Sequence, residues 1–540
     1  MHRMLLRPRP FLALASLTGL GAAGSLPVGG LEVSHAEGAI SAQRVAAKPF
    51  PRRRGAARIS GEPLFTREQV LRNDGVDGRP MWVTYRDGVY DVTEFHEIHP
   101  GGNLIKQAAG SDVSLFWDYW GHHHHAPSVG KYLEKLRIGS LKKEDQIDGD
   151  TMGEDKKDDP YSAEPPRERS LQTIFAERPF CSETPKDVLE KEGYLTSADA
   201  LYVRNHAPVP DCAWVPEGES ETAYSNNYEV TFEARCNNED GASASMTIGE
   251  LKARYGTETV TSILQCAGNR ASEDIAATGP NGFTGTVFET ITLGMCGNGE
   301  WTGIPLCDIL PALFPVECKA ALDGGGEEYH VVFEGADGYS SSTPLARVLK
   351  RENGCLLVTK MNGKPLSPDH GYPLRAFVPG NAGARSVKWL EVVSLQKSPV
   401  DAPWNSYYYK DAAALQIHDL PLQSLVLGAQ KVKNESKSVL SVTGVAYGGG
   451  SGNSIAKVEV SVDDGENWIE ATLKAEEKAG TDQKHRDFGW VRWEAELPMQ
   501  IKQVCCRATD SASQTQPRIS PKQRGYLFNG WSKLEIEKNE

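Results

Sequence analysis

No Cys-x-x-Cys pair occurs in this chain of 540 residues, although it holds ten cysteines: Cys181, Cys212, Cys236, Cys266, Cys296, Cys307, Cys318, Cys355, Cys505 and Cys506. Zinc ribbons and redox dithiols need that spacing, and ten cysteines in so long a chain do not make a disulfide scaffold. Long apolar runs are missing too. The run from Phe11 to Ala23 is shorter than the about twenty residues needed to cross a bilayer, so no integral membrane span is expected. Positive charge is in deficit, and a net charge of −14 argues against nucleic acid and towards a small or basic partner. With 39% hydrophobic residues, the chain is long enough for three or four domains of about 150 residues, each with its own core.

Acidic residues are scarce at the start. Before Glu62 only Glu32 and Glu37 stand against Arg3, Arg7, Arg9, Arg44, Lys48, Arg52, Arg53, Arg54 and Arg58. This suits a mitochondrial targeting presequence over residues 1–60. Its arginine-rich opening followed by a short apolar stretch resembles the two-part presequences that deliver proteins to the intermembrane space. A secretory signal peptide shares those parts and stays open.

What is present begins with His99-Pro100-Gly101-Gly102, followed about twenty residues later by His122-His123-His124-His125. Two histidines on opposite walls of a pocket can ligate a haem iron, provided each sits on a turn that steadies its ring. Pro100 fixes one backbone angle, and the glycines let the chain pass close to a porphyrin edge. Upstream, Met81–Tyr85, the turn Arg86-Asp87-Gly88 and Val89–Val92 read as a hairpin. Downstream, Val129–Leu136 reads as a helix and Arg137–Leu141 as a closing strand. The segment from about Glu62 to Leu141 resembles a cytochrome b5-type haem domain, which implies haem b held by His99 and one of His122, His123 and His124. Counting from Phe116-Trp117 favours His123, and counting back from Val129 favours His124. A metal site made by the histidine run alone lacks a cysteine or carboxylate spaced to complete it.

Residues 142–164 are mixed charge with almost nothing to bury, as in Glu154-Asp155-Lys156-Lys157-Asp158-Asp159. They read as a solvated linker spanning on the order of 25 Å, long enough for the haem domain to visit more than one position or to serve as a plain spacer. Beyond it come Arg204-Asn205-His206-Ala207-Pro208-Val209-Pro210, Leu264-Gln265-Cys266-Ala267-Gly268-Asn269-Arg270, Met361-Asn362-Gly363 and Asp369-His370-Gly371-Tyr372-Pro373-Leu374-Arg375, extended by Val387-Lys388-Trp389-Leu390. In that order, over roughly Asp159 to Asn529, they resemble the molybdenum-pterin domain of the sulfite oxidase family. A thiolate is a soft ligand for molybdenum, and Cys266 sits in a turn of small residues that admits a bulky cofactor. The resemblance implies that Arg204, Asn205, His206, Asp337, His370, Arg375, Ser386, Val387 and Lys388 hold the pterin and its phosphate. It also implies Arg204 and Arg524 as pocket arginines and Tyr409 as the active-site tyrosine, with Tyr407 and Tyr408 adjacent.

The chain departs from the family in its pocket. Ala271 stands where a second arginine usually follows the Cys-Ala-Gly-Asn-Arg run, and the segment from Ala271 holds no lysine and no tryptophan before Trp301. Losing one charged donor weakens anion binding by about 1.5 to 3 kcal/mol, so weaker sulfite affinity, compensation by Arg270 and another substrate all stay open. The last segment alternates apolar and polar residues at Ser438–Tyr447 and Ala456–Gly465, as in an immunoglobulin-like β-sandwich. In the family this module forms the homodimer interface.

The expected architecture is multidomain α+β. It comprises a presequence (1–60), a cytochrome b5-like haem domain (61–141), a charged linker (142–164), a mixed α+β molybdopterin domain (165–415) and a β-sandwich dimerisation domain (416–540). The resemblance implies oxidation of sulfite to sulfate, with molybdenum-molybdopterin and haem b as cofactors and cytochrome c of the intermembrane space as electron acceptor. Nitrate reduction is the competing activity, although that family places its haem domain after the molybdenum domain. A haem electron-transfer protein with a degenerate molybdenum domain is the non-enzymatic alternative.

Overall fold

The computed structural model describes residues 61–540 apart from 76–77, 98, 100–104, 107, 114–116, 118–126, 146–160, 162, 237–241, 285, 287, 325–328, 407, 435–436, 475–484, 487, 522–524 and 537–540. The expected presequence, the glycines after His99, the histidine run with His122, His123 and His124, most of the charged linker, Tyr407 and Arg524 therefore lie outside the described residues.

The first domain is built on a four-stranded sheet in the order Leu64–Phe65, Arg137–Leu141, Gly88–Asp91, Trp82–Tyr85. The last two form the hairpin read from the sequence, with Trp82 opposite Asp91 and Tyr85 opposite Gly88. Its turn differs from the sequence reading. Gly88 is the first strand residue, and Arg86 carries the positive φ of 56°. Glycine is needed at 88 for space instead: a Cβ there would lie 2.3 Å from Tyr90 Oη and 2.5 Å from Arg137 Nη1. The expected helix runs Pro127–Leu136, two residues longer at its start because proline suits the first helical position.

Arg137 closes this domain on its own beginning. Its Nε and Nη2 donate to Glu62 at 2.9 and 2.7 Å, with the two side chains 11% and 12% exposed. Removing one partner of a pair this buried strands the other charge, at a cost of about 3 kcal/mol or more. Glu62→Ala is therefore expected to destabilise the first domain in the full chain by that free energy, read as a lower denaturant midpoint followed by haem absorbance. An unchanged midpoint would show that the pair contributes nothing.

The central region contains two five-stranded sheets and a small three-stranded one. One large sheet joins Glu258–Gln265, Cys296–Pro305, Leu356–Met361 and Lys364–Pro365, with Arg375–Phe377 also on Leu356–Met361. The other runs Ser340–Pro344, His330–Gly335, Leu390–Gln396, Glu229–Ala234, Ser243–Thr247, and only its Leu390–Gln396 to Glu229–Ala234 pairing is parallel. Buried strands here are near-continuous apolar runs such as His330-Val331-Val332-Phe333, because both faces are covered. The small sheet brings Val203–Arg204 beside Phe180–Glu183, with Arg204 opposite Cys181.

The last region is a sandwich of two four-stranded antiparallel sheets. Val442, Val458, Val460, Trp493, Val504 and Ala508 fill it from alternate strand positions. The strand expected over Ala456–Gly465 ends at Ser461. Asp463 Oδ1 accepts from Asn467 N at 2.9 Å and Asp464 turns to a φ of 58°, so the Asp-Asp-Gly end forms a turn rather than a strand.

Candidate functional site

Cys266 follows the last residue of the strand Glu258–Gln265. Its amide donates to Met295 O at 2.9 Å, and Asn269 N returns to Cys266 O at 3.1 Å, which closes a tight turn around the thiol. Asn269 Oδ1 accepts from Met295 N at 3.0 Å and pins that turn to the neighbouring strand segment. Cys266 lines a cavity whose wall also includes Arg204, His206, Asp337, His370, Arg375, Ser386, Val387, Lys388 and Tyr409. Residues from six separated stretches thus converge. Burial pushes the Cys266 thiol up, while the Gly268 amide and the Arg204 charge pull it back. Those two opposing groups favour the thiolate that a soft metal would take.

Arg204 Nη1 donates to Asn205 O at 2.7 Å and to Cys181 Sγ at 3.2 Å. His206 is stacked on Tyr339 at 4.9 Å, and its Nε2 lies 3.2 Å from Tyr409 Oη. Burial, with Arg204 and Lys388 nearby, holds His206 far below the usual histidine range, so the ring is neutral at physiological pH. Tyr409 is 6% exposed, sits at a φ of 44° and has its phenol held well above the usual value by burial. It therefore remains a hydroxyl donor. Tyr408 instead packs on Trp404 at 5.3 Å, outside the cavity lining.

Asp369 organises the cations of the cavity. Arg167 donates to both of its carboxylate oxygens at 2.7 and 2.8 Å, and Asn205 Nδ2 donates to Oδ1 at 3.0 Å. Burial raises this carboxyl, yet Arg167 outweighs it and holds Asp369 below the ordinary carboxylate range. Lys388 Nζ donates to Asp369 O at 2.9 Å and to Asn205 Oδ1. Burial lowers Lys388, and raises Asp337 across the cavity, whose Oδ1 accepts from Tyr339 N at 3.1 Å. His370 Nε2 is 2.9 Å from Ala198 O, and burial takes its pKa down to about 4. Gly371, at a φ of 101°, keeps this turn tight, since a Cβ would lie 3.0 Å from Lys388 Cβ.

Arg375 is 3% exposed and donates to His370 O at 3.1 Å and Ser386 O at 2.8 Å. Its buried Nε has no hydrogen-bond partner among the described residues. Ser386 Oγ accepts from Val378 N at 3.1 Å, and Val387 O from Ala376 N at 2.9 Å, which fixes both beside Lys388. A buried guanidinium with an unused N–H, a neighbouring ammonium and a soft thiol fit an anionic tail at one end and a thiolate-bound metal at the other.

Arg270 does not face this cavity. It is fully buried, donates to Glu273 at 2.9 and 2.6 Å, and reaches Gln423 and Gly530 O at 3.0 and 2.7 Å in the C-terminal region. Compensation by Arg270 for the missing pocket arginine is therefore ruled out by its direction. Ala271 opens the helix Ala271–Thr278 with its side chain fully in the core beside Ile291. In the first domain, the His99 ring lies 5.6 Å from Phe95, edge-on, with Nδ1 buried. Phe95 in turn packs against the apolar cluster of Met81, Val83, Val92 and Val113, with Trp117 and Leu133.

Sequence reasoning missed Arg167, Tyr202, Tyr339, Asp369, Trp404 and Tyr526 as site residues. Asp369 stood inside a recognised motif. Tyr202 lies two residues before the Arg204 motif, Tyr339 two after Asp337, Trp404 five before Tyr409 and Tyr526 two after Arg524, whereas Arg167 sits far from any motif of its domain.

Three family models match the chain. Residues 66–142 match a cytochrome b5-like haem/steroid binding domain, 217–404 an oxidoreductase molybdopterin binding domain, and 414–539 a Mo-co oxidoreductase dimerisation domain. The mitochondrial sulfite oxidase of Drosophila melanogaster is 33% identical over 88% of this chain and 81% of its own length. The sulfite oxidase of Gallus gallus is 32% identical over 87% of this chain and 99% of its own. The NADPH nitrate reductase of Neurospora crassa is 30% identical, and the match spans 68% of this chain and 42% of that protein. Among solved structures, the sulfane dehydrogenase of Paracoccus pantotrophus shares the fold, with a TM-score of 0.51 at 21% identity over 67% of this chain and 85% of its own.

Proposed function

The chain belongs to the sulfite oxidase family, and from that premise we propose how its own residues carry the reaction. It is a molybdenum oxidoreductase that oxidises sulfite to sulfate, with molybdenum-molybdopterin and haem b as cofactors. When bound, the molybdenum-pterin group supplies the oxygen transfer and the two-electron sink.

Cys266 would hold the metal through its sulfur. Arg375, Lys388, His370, Ser386, Val387, Asn205, His206 and Asp337 would hold the pterin, with the Arg375 Nε–H and Lys388 as the cationic donors for its phosphate. Arg204 and Arg524 draw the sulfite anion in and orient it, each by charge-assisted hydrogen bonds. Neutral His206 fixes the Tyr409 hydroxyl, which donates to the anion while staying protonated across the physiological range. The balance is sulfite plus water giving sulfate, two protons and two electrons. A haem would be held by His99 and one of His122, His123 and His124, and would let the electrons leave singly. The observation that carries this reading is the meeting of Cys266, Arg204, the His206–Tyr409 pair and the Arg375–Lys388 cradle on one cavity.

The dimerisation-domain match supports a homodimer, and the relatives named mitochondrial support a mitochondrial location. Basic cytochrome c of the intermembrane space is the acceptor that a chain of net charge −14 would meet fastest. The order of parts, haem domain first, sets the chain apart from the nitrate reductase reading. We assign the domains as 61–141, 165–415 and 416–540, behind a presequence of 1–60 and joined by the linker 142–164.

The test is stopped-flow haem reduction in the loaded full chain, mixed with sulfite without cytochrome c. Rapid reduction is expected, and its absence at full metal and haem content would overturn the reading.

A further inference from the structure

A row of aromatic rings stands beside Arg204 in the part of the chain where the family's extra pocket cations are missing. The Arg204 guanidinium carbon lies 4.7 Å over the Phe288 ring. Phe288 is 6.5 Å from Phe283, Phe283 is 5.4 Å from Tyr526, and Tyr526 is 5.6 Å from Tyr409. The four rings therefore run without a break from one cavity residue, Arg204, to another, Tyr409. Phe283, Phe288 and Tyr526 are half-buried, so each keeps part of its surface available.

The row is anchored. Leu527 N donates to Ala267 O at 2.7 Å, which ties the Tyr526 segment to the Cys266 turn. Phe283 is clamped between two glycines, since an added Cβ would meet its ring at 2.8 Å from Gly268 and 2.7 Å from Gly525. Residues 271–300 contain neither lysine nor arginine. Arg270 faces the C-terminal region, and Ala271 is shut in the core.

A doubly charged anion is favoured by converging cations, whereas a singly charged anion with an apolar substituent needs one strong cation and a hydrocarbon-compatible wall. Arg204 against Phe288 offers that pair. We propose that this site oxidises organic sulfinates, R–SO2−, with the sulfinate on Arg204 and the R group against Phe288, Phe283 and Tyr526. The inference rests on the oxidation proposed above. The sulfur lone pair is converted into a new S–O bond, giving R–SO2− plus water to R–SO3− plus two protons and two electrons. The electrons follow the same route as those of sulfite, and the R–S bond stays intact.

The test uses the loaded full chain with sulfite, methanesulfinate and benzenesulfinate, reading haem reduction. It is joined by calorimetric binding of the product analogues benzenesulfonate and sulfate to the oxidised enzyme. Each buried methylene is worth about fourfold in affinity, so benzenesulfinate is expected to exceed methanesulfinate in kcat/KM by at least tenfold. Benzenesulfonate is expected to bind more tightly than sulfate. Phe288→Leu and Phe283→Leu, at retained molybdenum and haem content, are expected to lower the ratio of benzenesulfinate to sulfite kcat/KM by at least fivefold and to weaken benzenesulfonate binding in parallel. Haem reduction by sulfite alone, with no preference for benzenesulfonate, would overturn the inference and leave sulfite oxidation standing. Reduction by sulfinates alone would support the inference and overturn sulfite as the substrate. Reduction by neither would overturn both.

Discussion

Cys266→Ser is expected to lower sulfite-dependent haem reduction by at least a thousandfold while leaving the pterin bound and the chain folded. A serine hydroxyl is a hard donor that remains protonated, so it cannot replace a thiolate on a soft metal site. The substitution is close to isosteric, and the turn that holds residue 266 is made by backbone groups and Asn269, which the change leaves alone. The cradle at Arg375 and Lys388 is held by His370, Ser386 and Asp369, none of which bonds Cys266, and keeps those contacts. Activity is measured by stopped flow and pterin content by fluorescence after release. Retained turnover would remove Cys266 from the metal. Lost pterin together with lost turnover would mean that the cradle depends on the thiol.

Arg167→Met is expected to cost about 3 to 5 kcal/mol of stability, the penalty for leaving a buried carboxylate without its partner. Asp369 is 6% exposed and takes two hydrogen bonds from this one guanidinium. Because Asp369 also receives Asn205, whose Oδ1 is bonded to Lys388, the loss spreads to the anion cradle, and pterin retention is expected to fall with stability. The pair carries a pH signature. The folded-state pKa of Asp369 is depressed, so its stabilisation is present above the ordinary carboxylate pKa and fades as pH falls through the lower folded value. Wild type is therefore expected to lose this increment on acidification, while Arg167→Met shows a flatter acid limb. Chemical denaturation from neutral pH to about pH 3 checks it, and parallel acid limbs would refute the assignment.

The residues that could be read from sequence are those whose chemistry is local. The Cys266 turn, the Asp369–Arg375 stretch and Val387-Lys388-Trp389 are each contiguous runs, so the family resemblance could be recognised in them and brought them forward. The hairpin at Trp82–Tyr85 and Gly88–Asp91 was legible for the same reason, since alternation and a short turn are neighbour properties. Its details were not. Positive φ fell on Arg86 rather than Gly88, and glycine stands at 88 because Tyr90 and Arg137 claim the space beside it.

What stayed hidden depends on partners distant in the chain. Arg270 sits four residues after Cys266, yet it turns away because Gln423 and the Gly530 carbonyl wait in the C-terminal region. Arg167 precedes every motif of the molybdopterin domain and reaches Asp369 only through the fold. Tyr526 meets Tyr409 because the C-terminal segment lies over the Cys266 turn, a contact that no periodicity encodes. The strand expected through Gly465 stopped at Ser461 because an Asp side chain caps the backbone of the turn that follows.

The central assignment, that Cys266 joins the metal to the protein, is tested most directly by molybdenum X-ray absorption on the loaded full chain and on Cys266→Ser. The expected result is one fewer sulfur neighbour around molybdenum in the variant, with pterin content unchanged. An equal number of sulfur neighbours in both proteins would contradict the assignment and return Cys266 to the status of a buried structural thiol.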